Sequence, residues 1–408
     1  MKILGIETSC DETAAAVVED GHTLLSNVVL SSMDLHAAYG GVVPEIAARS
    51  HIEAIMPVIT QALFEAKYGQ GFGSDGVKSA NEQQTEAYKD YTEGAAQLAT
   101  QQSAENTLGK SGFGRLSKSK ADALWDDIDA ITVTYGAGLG GSLLVGVMTA
   151  RTLAITKNKP LYAVNHVEGH IYVNFLTETP LQGYVLPVKA PEFPMLGLIV
   201  SGGHSQLVIW RNHFDYTLLG QTQDDAIGEA FDKVAKIIGL PYPGGPSVGK
   251  KALEGDPYAY QFPKSRMPNK YDYSFSGIKT AVLRAAQAEI GESHDFPSFN
   301  IPGRLSEAQK ANIAASFQRI AIETVVDKTV SAFEEFQPKS VIIGGGVAAS
   351  PELRRQLAER LPIEILYTDP KLCTDNGAMI ATLGYFHASL DQPKADPYSL
   401  EIAPNLSM

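Results

Sequence analysis

The chain has 408 residues, of which 44% are hydrophobic and 37 are glycine, so it is long enough for two domains with substantial cores. Its formal net charge of −13 argues against non-specific nucleic-acid binding by the whole surface, because phosphate groups repel acidic side chains. The two cysteines, Cys10 and Cys373, are too few for a disulfide scaffold. No apolar run is long enough to span a membrane and no signal-type core stands at the N-terminus, so we expect a cytoplasmic protein without a membrane segment.

Two similar hairpins are predicted about half a chain apart. Residues 2–6 and 14–19 are apolar runs typical of buried strands, and the polar turn 7–13 between them carries acidic and hydroxyl groups. Residues 196–210 repeat this pattern around a Ser-Gly-Gly-His-Ser turn. The repetition predicts an internally duplicated protein with two lobes. The adjacent glycines of the second turn either cradle phosphate with their backbone N–H groups or form an ordinary tight hairpin turn.

The segment between the first helix and the next strand has a different composition. A turn at residues 40–45 precedes a helix predicted over 46–67, which has an apolar stripe at helical spacing. Residues 68–122 are rich in Gly, Ser, Gln, Ala, Glu and Lys and poor in large apolar side chains. Such a segment cannot bury enough surface to offset its ordering entropy, so we predict a flexible surface insertion with short helical pieces near 93–100.

Strands and helices alternate after the insertion, as in parallel α/β architecture. The predicted elements are a strand at 127–134, a helix from a glycine-rich loop to 156, a strand at 160–164, helices at 224–238 and 307–336, a strand within 340–348 and a final helix from 373. The predicted division is an N-terminal lobe of residues 1–165, a C-terminal lobe of residues 166–385 and a tail of residues 386–408.

His166 and His170 have the spacing of a metal-ligand pair. Residues four apart lie on one face of a helix, close enough to bind one ion. The zinc-protease motif places a glutamate directly after the first histidine, whereas Glu168 stands two positions after His166. Its carboxylate is therefore about 200° round the helix and points away from a metal-bound water. The protease alternative is disfavoured on this ground, and two helix-surface histidines remain the other alternative.

Nine motifs in order carry a resemblance to a known family. They are residues 5–13, 40–45, 166–170, 200–204, 228–233, 242–246, 275–280, 344–347 and 373–379. With these motifs the chain resembles the bacterial tRNA adenosine threonylcarbamoyltransferase family (TsaD type), and the resemblance covers nearly the whole chain outside 68–122. It implies an α/β fold of the actin-like, sugar-kinase or Hsp70 type, which is a duplicated two-lobe fold with a nucleotide cleft between the lobes.

The resemblance also implies a metal site. His166, His170 and Asp375 would bind one divalent metal ion per subunit, iron in preference to zinc. Two imidazoles and a carboxylate leave coordination positions open for substrate oxygens. The alternative for Asp375 is the N-cap of a helix, a position for which Thr374 competes.

The same resemblance implies an adenylate-binding cleft. The implied contacts are Ile199, Val200, Ser201, Gly202 and Gly203 at the phosphate, Asp232 and Gly245 at the ribose, and residues 344–346 at the adenine. Ser350 stands where the family usually has asparagine, and its hydroxyl offers fewer hydrogen bonds than an amide.

The implied reaction transfers a threonylcarbamoyl group from threonylcarbamoyl-AMP to N6 of the adenosine next to the anticodon. The product is t6A, in tRNAs that read codons beginning with A. Asp11 or Glu12 would accept the proton from the amine. The implied partners are tRNA, a non-catalytic paralogue of the same fold (TsaB type) and a small ATPase (TsaE type).

The sequence leaves the alternative functions and the tRNA-binding surface open. A metalloprotease and an ATP-dependent small-molecule kinase of the same fold are the alternative functions, because fold alone does not fix function. An acidic tRNA-modifying protein needs a local basic patch or its partners to hold tRNA. Candidate patches are Lys264, Arg266 and Lys270, or Arg354 and Arg355.

Overall fold

Two mixed five-stranded sheets organise the protein in a computed structural model that describes residues 1–36, 39, 41–69 and 122–408. The strands of the first sheet are β1 (Lys2–Glu7), β2 (Glu12–Glu19), β3 (Thr23–Ser31), β4 (Ala130–Gly136) and β5 (Leu161–Asn165). Their spatial order is β3-β2-β1-β4-β5. β1 is antiparallel to β2 and parallel to β4, and β4 is parallel to β5.

The second sheet repeats this topology. Its strands are β6 (Met195–Val200), β7 (Ser205–Asn212), β8 (Asp215–Gln221), β9 (Ser340–Gly344) and β10 (Ile365–Leu366). Their order is β8-β7-β6-β9-β10, with β6 antiparallel to β7 and parallel to β9. Because strand order and direction match those of the first sheet, the predicted duplicated two-lobe fold of the actin-like type is confirmed.

Ten α-helices that lie wholly within the described ranges cover the sheets. They are α1 (Met33–His36), α2 (Pro44–Tyr68), α3 (Gly140–Lys157), α4 (His166–Tyr172), α5 (Ile227–Ile238), α6 (Gly244–Ala252), α7 (Ser276–Glu289), α8 (Glu307–Phe336), α9 (Pro351–Arg360) and α10 (Gly377–Ser389). None of these helices is both long and apolar enough for a membrane crossing. Polar caps define several of their starts, such as the capping box of Ser306 and Gln309 at α8.

Three hydrophobic cores give the molecule a layered structure. The core on the outer face of the first sheet joins its strands to α2 and α3. The second core lies between the two sheets and contains the apolar side chains of α4 and α10. The third joins the outer face of the second sheet to α5–α9. The helix that follows the last strand of each lobe therefore lies in the central layer, and this layer carries the candidate site.

Some element boundaries differ from the sequence predictions. β4 begins at Ala130 rather than at 127, α5 at Ile227 rather than at 224, and α10 at Gly377 rather than at 373. Before α5, the Asp225 carboxylate bonds the ammonium groups of Lys233 and Lys279, so this residue belongs to a cross-linked loop. The predicted insertion 68–122 lies outside the described residues except at its two ends.

Contacts cross the predicted lobe boundaries. α10 packs on β1 and β2 of the first sheet, although the sequence division places most of it in the C-terminal lobe. In the tail, the guanidinium group of Arg151 donates to the carbonyl groups of Pro397, Tyr398 and Leu400. The division at 165 and 385 stays a prediction, and the tail lies against the first lobe.

Candidate functional site

The three predicted metal ligands come together in the central layer. His166 and His170 lie on α4 with their rings 4.8 Å apart, and Asp375 stands just before α10. The Asp375 Oδ1 is 3.5 Å from His166 Nε2 and 3.3 Å from His170 Nε2. All three donor atoms lie within 4.8 Å of one another, so one ion can contact all of them.

Helix caps leave the ligand side chains free to face each other. Asn165 caps α4, because its Oδ1 accepts from the backbone N–H of Val167 at 2.8 Å. Asn376 caps α10 in the same way, accepting from the N–H of Met379 at 3.0 Å. The cap of α10 is therefore neither Asp375 nor Thr374, and the alternative role for Asp375 is wrong.

A buried glutamate stands behind His166. Glu7, at the end of β1, lies 3.2 Å from His166 Nδ1 and also accepts from the Thr134 hydroxyl and the Ser9 backbone N–H. A carboxylate at Nδ1 fixes a proton on that nitrogen and turns Nε2 towards Asp375. No role is predicted for Glu7 from the sequence, although it stands in the first motif. A buried strand that ends in a charged residue was the available signal.

His170 supplies the test of whether the residues fit a metal ion. Its Nδ1 is buried without a hydrogen-bond partner, and its Nε2 has only the 3.3 Å contact to the Asp375 carboxylate. A buried unsatisfied polar group costs about 1–3 kcal/mol. Coordination at Nε2 would satisfy that atom, so the arrangement fits a resident metal. Two imidazoles and one carboxylate suit either iron or zinc.

Charges in the cluster shift the ionisation of its members. Burial opposes a charged imidazole, but the carboxylates of Asp375 and Glu7 raise the pKa of His166 to about 9. Burial likewise opposes a charged carboxylate at Asp375, yet the neighbouring histidines hold its pKa below the usual range. The metal-free cluster therefore favours a protonated His166 paired with two carboxylates.

This raised pKa predicts the pH dependence of metal binding. A metal ion needs the bare Nε2 of a neutral His166, so it must displace a proton below about pH 9. The apparent metal affinity should rise about tenfold per pH unit between pH 6.5 and about 9. Calorimetric titration of metal-free protein in this range measures the slope, and an affinity independent of pH would contradict the assignment.

The same proton links stability to pH. The pKa of His166 is raised by folding from 6.5 to about 9, so the folded metal-free chain holds a proton that the unfolded chain releases earlier. Its stabilising contribution is complete below pH 6.5 and is lost as pH rises through about 9. Urea unfolding of metal-free protein at both ends of this window provides the control for the binding experiment.

Close backbone packing positions Asp375. A Cβ added at Gly377 would overlap the backbone of Ala15 and Ala16 in β2. We predict that Gly377→Ala destabilises the fold by about 1–3 kcal/mol and weakens metal binding, because α10 must move away from the sheet and take Asp375 with it. Urea unfolding and metal titration measure the two effects. Gly303→Ala is the matched control because an added Cβ there meets no atom within 4 Å; equal behaviour of the two variants would contradict this account.

The two predicted catalytic carboxylates lie on the turn after β1. Glu12 begins β2, and its Oε1 accepts from the Ser31 hydroxyl at 3.3 Å. Burial, together with the negative charges of Asp375 and Asp11, raises the pKa of Glu12 to about 9. Glu12 is thus protonated at neutral pH in the metal-free protein.

The predicted phosphate-binding residues lie at the end of β6 and in the turn after it. Ile199 and Val200 end that strand with their side chains in the hydrophobic cores. Ser201 closes the turn, because its Oγ accepts from the N–H of His204 at 3.0 Å. Gly202 and Gly203 are exposed, and a Cβ at either would meet nothing within 4 Å.

The strand β9, which pairs with β6, ends in Gly344, and Gly345 follows it. A Cβ at Gly344 would overlap the His170 carbonyl, and one at Gly345 would overlap the Val200 carbonyl. Gly345 also has a positive φ of 88°, which glycine adopts without strain. Gly344 therefore lets the end of β9 approach α4, and Gly345 lets the chain after β9 approach the end of β6.

The remaining predicted adenylate residues have local structural partners. Asp232 Oδ1 accepts from the N–H of Gly244 at 2.6 Å and so joins α5 to α6. A Cβ at Gly245 would meet no atom within 4 Å. Ser350 caps α9, because its Oγ accepts from the N–H of Leu353 at 3.4 Å.

His204 is a second residue that the sequence analysis left without a role. Its ring centroid is 6.3 Å from that of His166, and burial followed by the charges of His166 and His170 lowers its pKa to about 4. It is therefore a neutral imidazole beside the cluster. Its position directly after Gly202 and Gly203 was the feature of the sequence that could have indicated a role.

Glu168 does not join the cluster. It is buried, and it bonds the Tyr216 hydroxyl of the second sheet while burial raises its pKa. The glutamate that a zinc protease would need is therefore turned away, as its sequence position predicted.

Three of the five cations in the candidate basic patches are paired with acidic side chains. Lys264 pairs with Glu323 and Asp327, and Lys270 pairs with Glu335. The other candidates are equally engaged, Arg355 by Glu352 and Glu359 and Arg354 by the ring of Tyr367. Four of the five candidate cations thus have an acidic or aromatic neighbour, and the role of the two clusters in holding tRNA stays a prediction.

Fold and site together define a duplicated two-lobe α/β protein with a buried His-His-Asp centre in its central layer. The sequence family described as tRNA N6-adenosine threonylcarbamoyltransferase (TsaD) matches residues 23–70 and 116–382. The chain belongs to this family, and it is a transferase that modifies tRNA.

Relatives of the same name cover almost the whole chain. The protein from Thermomicrobium roseum is 43% identical over 95% of this chain and 92% of its own length. That from Symbiobacterium thermophilum is 44% identical over 94% of this chain and 91% of its own length. Among solved structures, the ROK hexokinase from Thermus thermophilus covers 95% of this chain and 99% of its own, with 15% identity and a TM-score of 0.40.

Proposed function

We propose that this protein transfers the threonylcarbamoyl group of threonylcarbamoyl-AMP to N6 of the adenosine next to the anticodon, forming t6A in tRNAs that read codons beginning with A. The observation that carries the proposal is the His166–His170–Asp375 cluster, with an unpartnered buried imidazole, in a chain of this family. The test is t6A formation by the purified metal-loaded protein with its partners. Because tRNA is the acceptor, the cytoplasm remains the expected compartment.

The chain's own residues bind and orient the donor in this proposal. The turn after β6, with Ser201, Gly202 and Gly203, offers backbone N–H groups to the phosphate. Asp232 keeps one carboxylate oxygen for the ribose, since the other bonds Gly244. The backbone of Ile199 and Val200, whose side chains are buried in the hydrophobic cores, belongs to the same proposed adenylate path, as do Gly245 and Ser350. When bound, the metal ion supplies Lewis-acid stabilisation of charge on donor oxygens.

Asp11 is the proposed proton acceptor for the amine. Of the two candidates, Glu12 carries its own proton at neutral pH in the metal-free protein, because its pKa is about 9. A protonated Glu12 can donate a hydrogen bond to Asp11 and hold it. AMP is a good leaving group, so the enzyme mainly has to align the amine with the donor and remove one proton. Iron is the proposed metal in preference to zinc.

The proposed paralogous partner (TsaB type) docks on the outer face of α2 and α3. Large apolar side chains are exposed on both helices, namely Ile52, Met56, Leu144, Met148 and Ile155. A partner of the same fold carries an equivalent helix pair, so two such pairs can bury each other's apolar stripes. The small ATPase (TsaE type) and tRNA complete the proposed assembly, and tRNA affinity then depends on the partners because the predicted basic patches are paired.

A substitution on this face tests the partner proposal. Met148→Glu should weaken the complex with the paralogue by at least about 2 kcal/mol, because it buries a charge in an apolar interface. Analytical ultracentrifugation of the mixed proteins measures the loss. Leu253→Glu is the matched control, since Leu253 is 86% exposed on the other lobe; a complex that tolerates Met148→Glu as well as Leu253→Glu would refute the docking face.

A further inference from the structure

The turn that carries Asp11 and Glu12 is held by its backbone carbonyls. The Ser9 carbonyl accepts from the N–H of Leu139 at 2.7 Å. The Cys10 carbonyl lies 3.0 Å from His51 Nε2, and the Asp11 carbonyl accepts from the Ser32 hydroxyl at 2.9 Å. Three separate elements thus hold three consecutive peptide groups, which is more than a surface turn requires.

His51 bridges this turn to the strand that follows it. The ring is buried on α2, with Nε2 at the Cys10 carbonyl and Nδ1 2.8 Å from the Thr13 hydroxyl. A carbonyl only accepts, so the hydrogen must be on Nε2. The bare Nδ1 of the neutral ring then accepts from Thr13. Both nitrogens are satisfied by groups on either side of the acidic pair.

His36 forms a second bridge from the segment before α2. The N–H of Val43 donates to its Nδ1 at 3.2 Å, so the hydrogen of the neutral ring is on Nε2. That nitrogen lies 3.1 Å from the Ser32 hydroxyl, which in turn donates to the Asp11 carbonyl. A chain of donors and acceptors therefore runs from Val43 to Asp11.

We propose that His51 and His36 are positioning residues that fix the Asp11–Glu12 turn against the metal cluster. Neither ring belongs to the cluster, and both are fully buried with both nitrogens engaged. His51 bonds the Cys10 carbonyl directly, and His36 reaches the Asp11 carbonyl through the Ser32 hydroxyl. The Ser142 hydroxyl and the Ser32 backbone N–H also donate to these two carbonyls, at 3.2 and 3.0 Å, so loss of a ring donor loosens the backbone that carries Asp11 without releasing it. Val43, in the motif at 40–45, and His51 thereby acquire a function in aligning the acidic pair.

Matched variants of His51 separate positioning from simple support. A glutamine nitrogen reaches about as far as Nε2 and keeps the bond to the Cys10 carbonyl, whereas an asparagine reaches only as far as Nδ1 and loses it. His51→Asn should lower kcat for transfer by about 10- to 100-fold while KM for threonylcarbamoyl-AMP and metal content stay unchanged. His51→Gln should restore most of kcat. Exposed His294→Gln is the control for replacing a histidine.

A second readout needs no activity and therefore separates this inference from the proposed function on which its rate assay rests. Cys10 is part of the turn, whereas Cys373 is buried elsewhere. Alkylation of Cys10, measured by peptide mass spectrometry, should speed up in His51→Asn and not in His51→Gln. Ser32→Ala removes the hydroxyl link to His36 but keeps the bond from the Ser32 backbone N–H to the Asp11 carbonyl. It should act in the same direction as His51→Asn and replaces it if that variant does not fold. Wild-type kcat and unchanged Cys10 alkylation in folded His51→Asn or Ser32→Ala would overturn the proposal.

Discussion

Asp11→Asn should lower the rate of threonylcarbamoyl transfer by about 10²–10⁴-fold, the usual contribution of a general base. The amide keeps the size and much of the hydrogen bonding of the carboxylate but cannot take a proton at neutral pH. Single-turnover transfer to tRNA with saturating donor measures the chemical step. Metal content should be that of the wild type, because Asp11 is not among the three clustered donors.

Glu12→Gln provides the comparison for this experiment. Burial is the largest cause of the raised pKa of Glu12, and it persists in the metal-loaded enzyme, so an amide can replace the hydrogen bond that the protonated carboxyl donates. We expect a smaller loss for Glu12→Gln than for Asp11→Asn. If Asp11→Asn transfers at the wild-type rate, or if Glu12→Gln is the more damaging change, the proton acceptor is not Asp11.

His170→Ala should abolish stoichiometric metal binding and lower transfer by at least about a thousandfold. The change removes one of three donors, and a lost Lewis acid forfeits several kcal/mol of transition-state stabilisation. Metal content is measured by mass spectrometry of the purified variant. The fold should survive, because the substitution also removes two buried ring nitrogens that have no hydrogen-bond partner.

The exposed His294 supplies the control for this variant. His294→Ala should keep both metal and activity, since its side chain lies on the surface of the second lobe. A His170→Ala protein that binds one metal ion as tightly as the wild type would show that the ion binds elsewhere. Full transfer activity without metal would show that the cluster serves structure alone.

The fold was predictable because both lobes carry the same local pattern. Two apolar runs around a polar turn predict each hairpin, as in residues 2–19 and 196–210. The two sheets have the same order because each repeats one unit. The position of α10 on the first sheet was not predictable, because the small residues Gly5 and Gly377 that allow the close approach carry no periodic signal.

The metal cluster was predictable only in part. Histidines at 166 and 170 are local and have a meaningful spacing, whereas Asp375 came from the family resemblance alone. Glu7, His36 and His51 reach the site through pairings between distant segments. A hydrogen bond from a histidine ring to a carbonyl far along the chain leaves no trace in the sequence of either segment. The ion pairs within the candidate basic patches were not predictable for the same reason, since Lys264 meets Asp327 only after α8 has folded against it.

The most direct measurement is t6A formation on a tRNA transcript that reads a codon beginning with A. Metal-loaded wild-type protein is mixed with threonylcarbamoyl-AMP, the paralogous partner and the small ATPase, and nucleosides are analysed by mass spectrometry. The proposed function predicts t6A from the wild type, almost none from His170→Ala, and no cleavage of peptides. Absence of t6A from the fully metal-loaded complex, or equal t6A from His170→Ala, would contradict it.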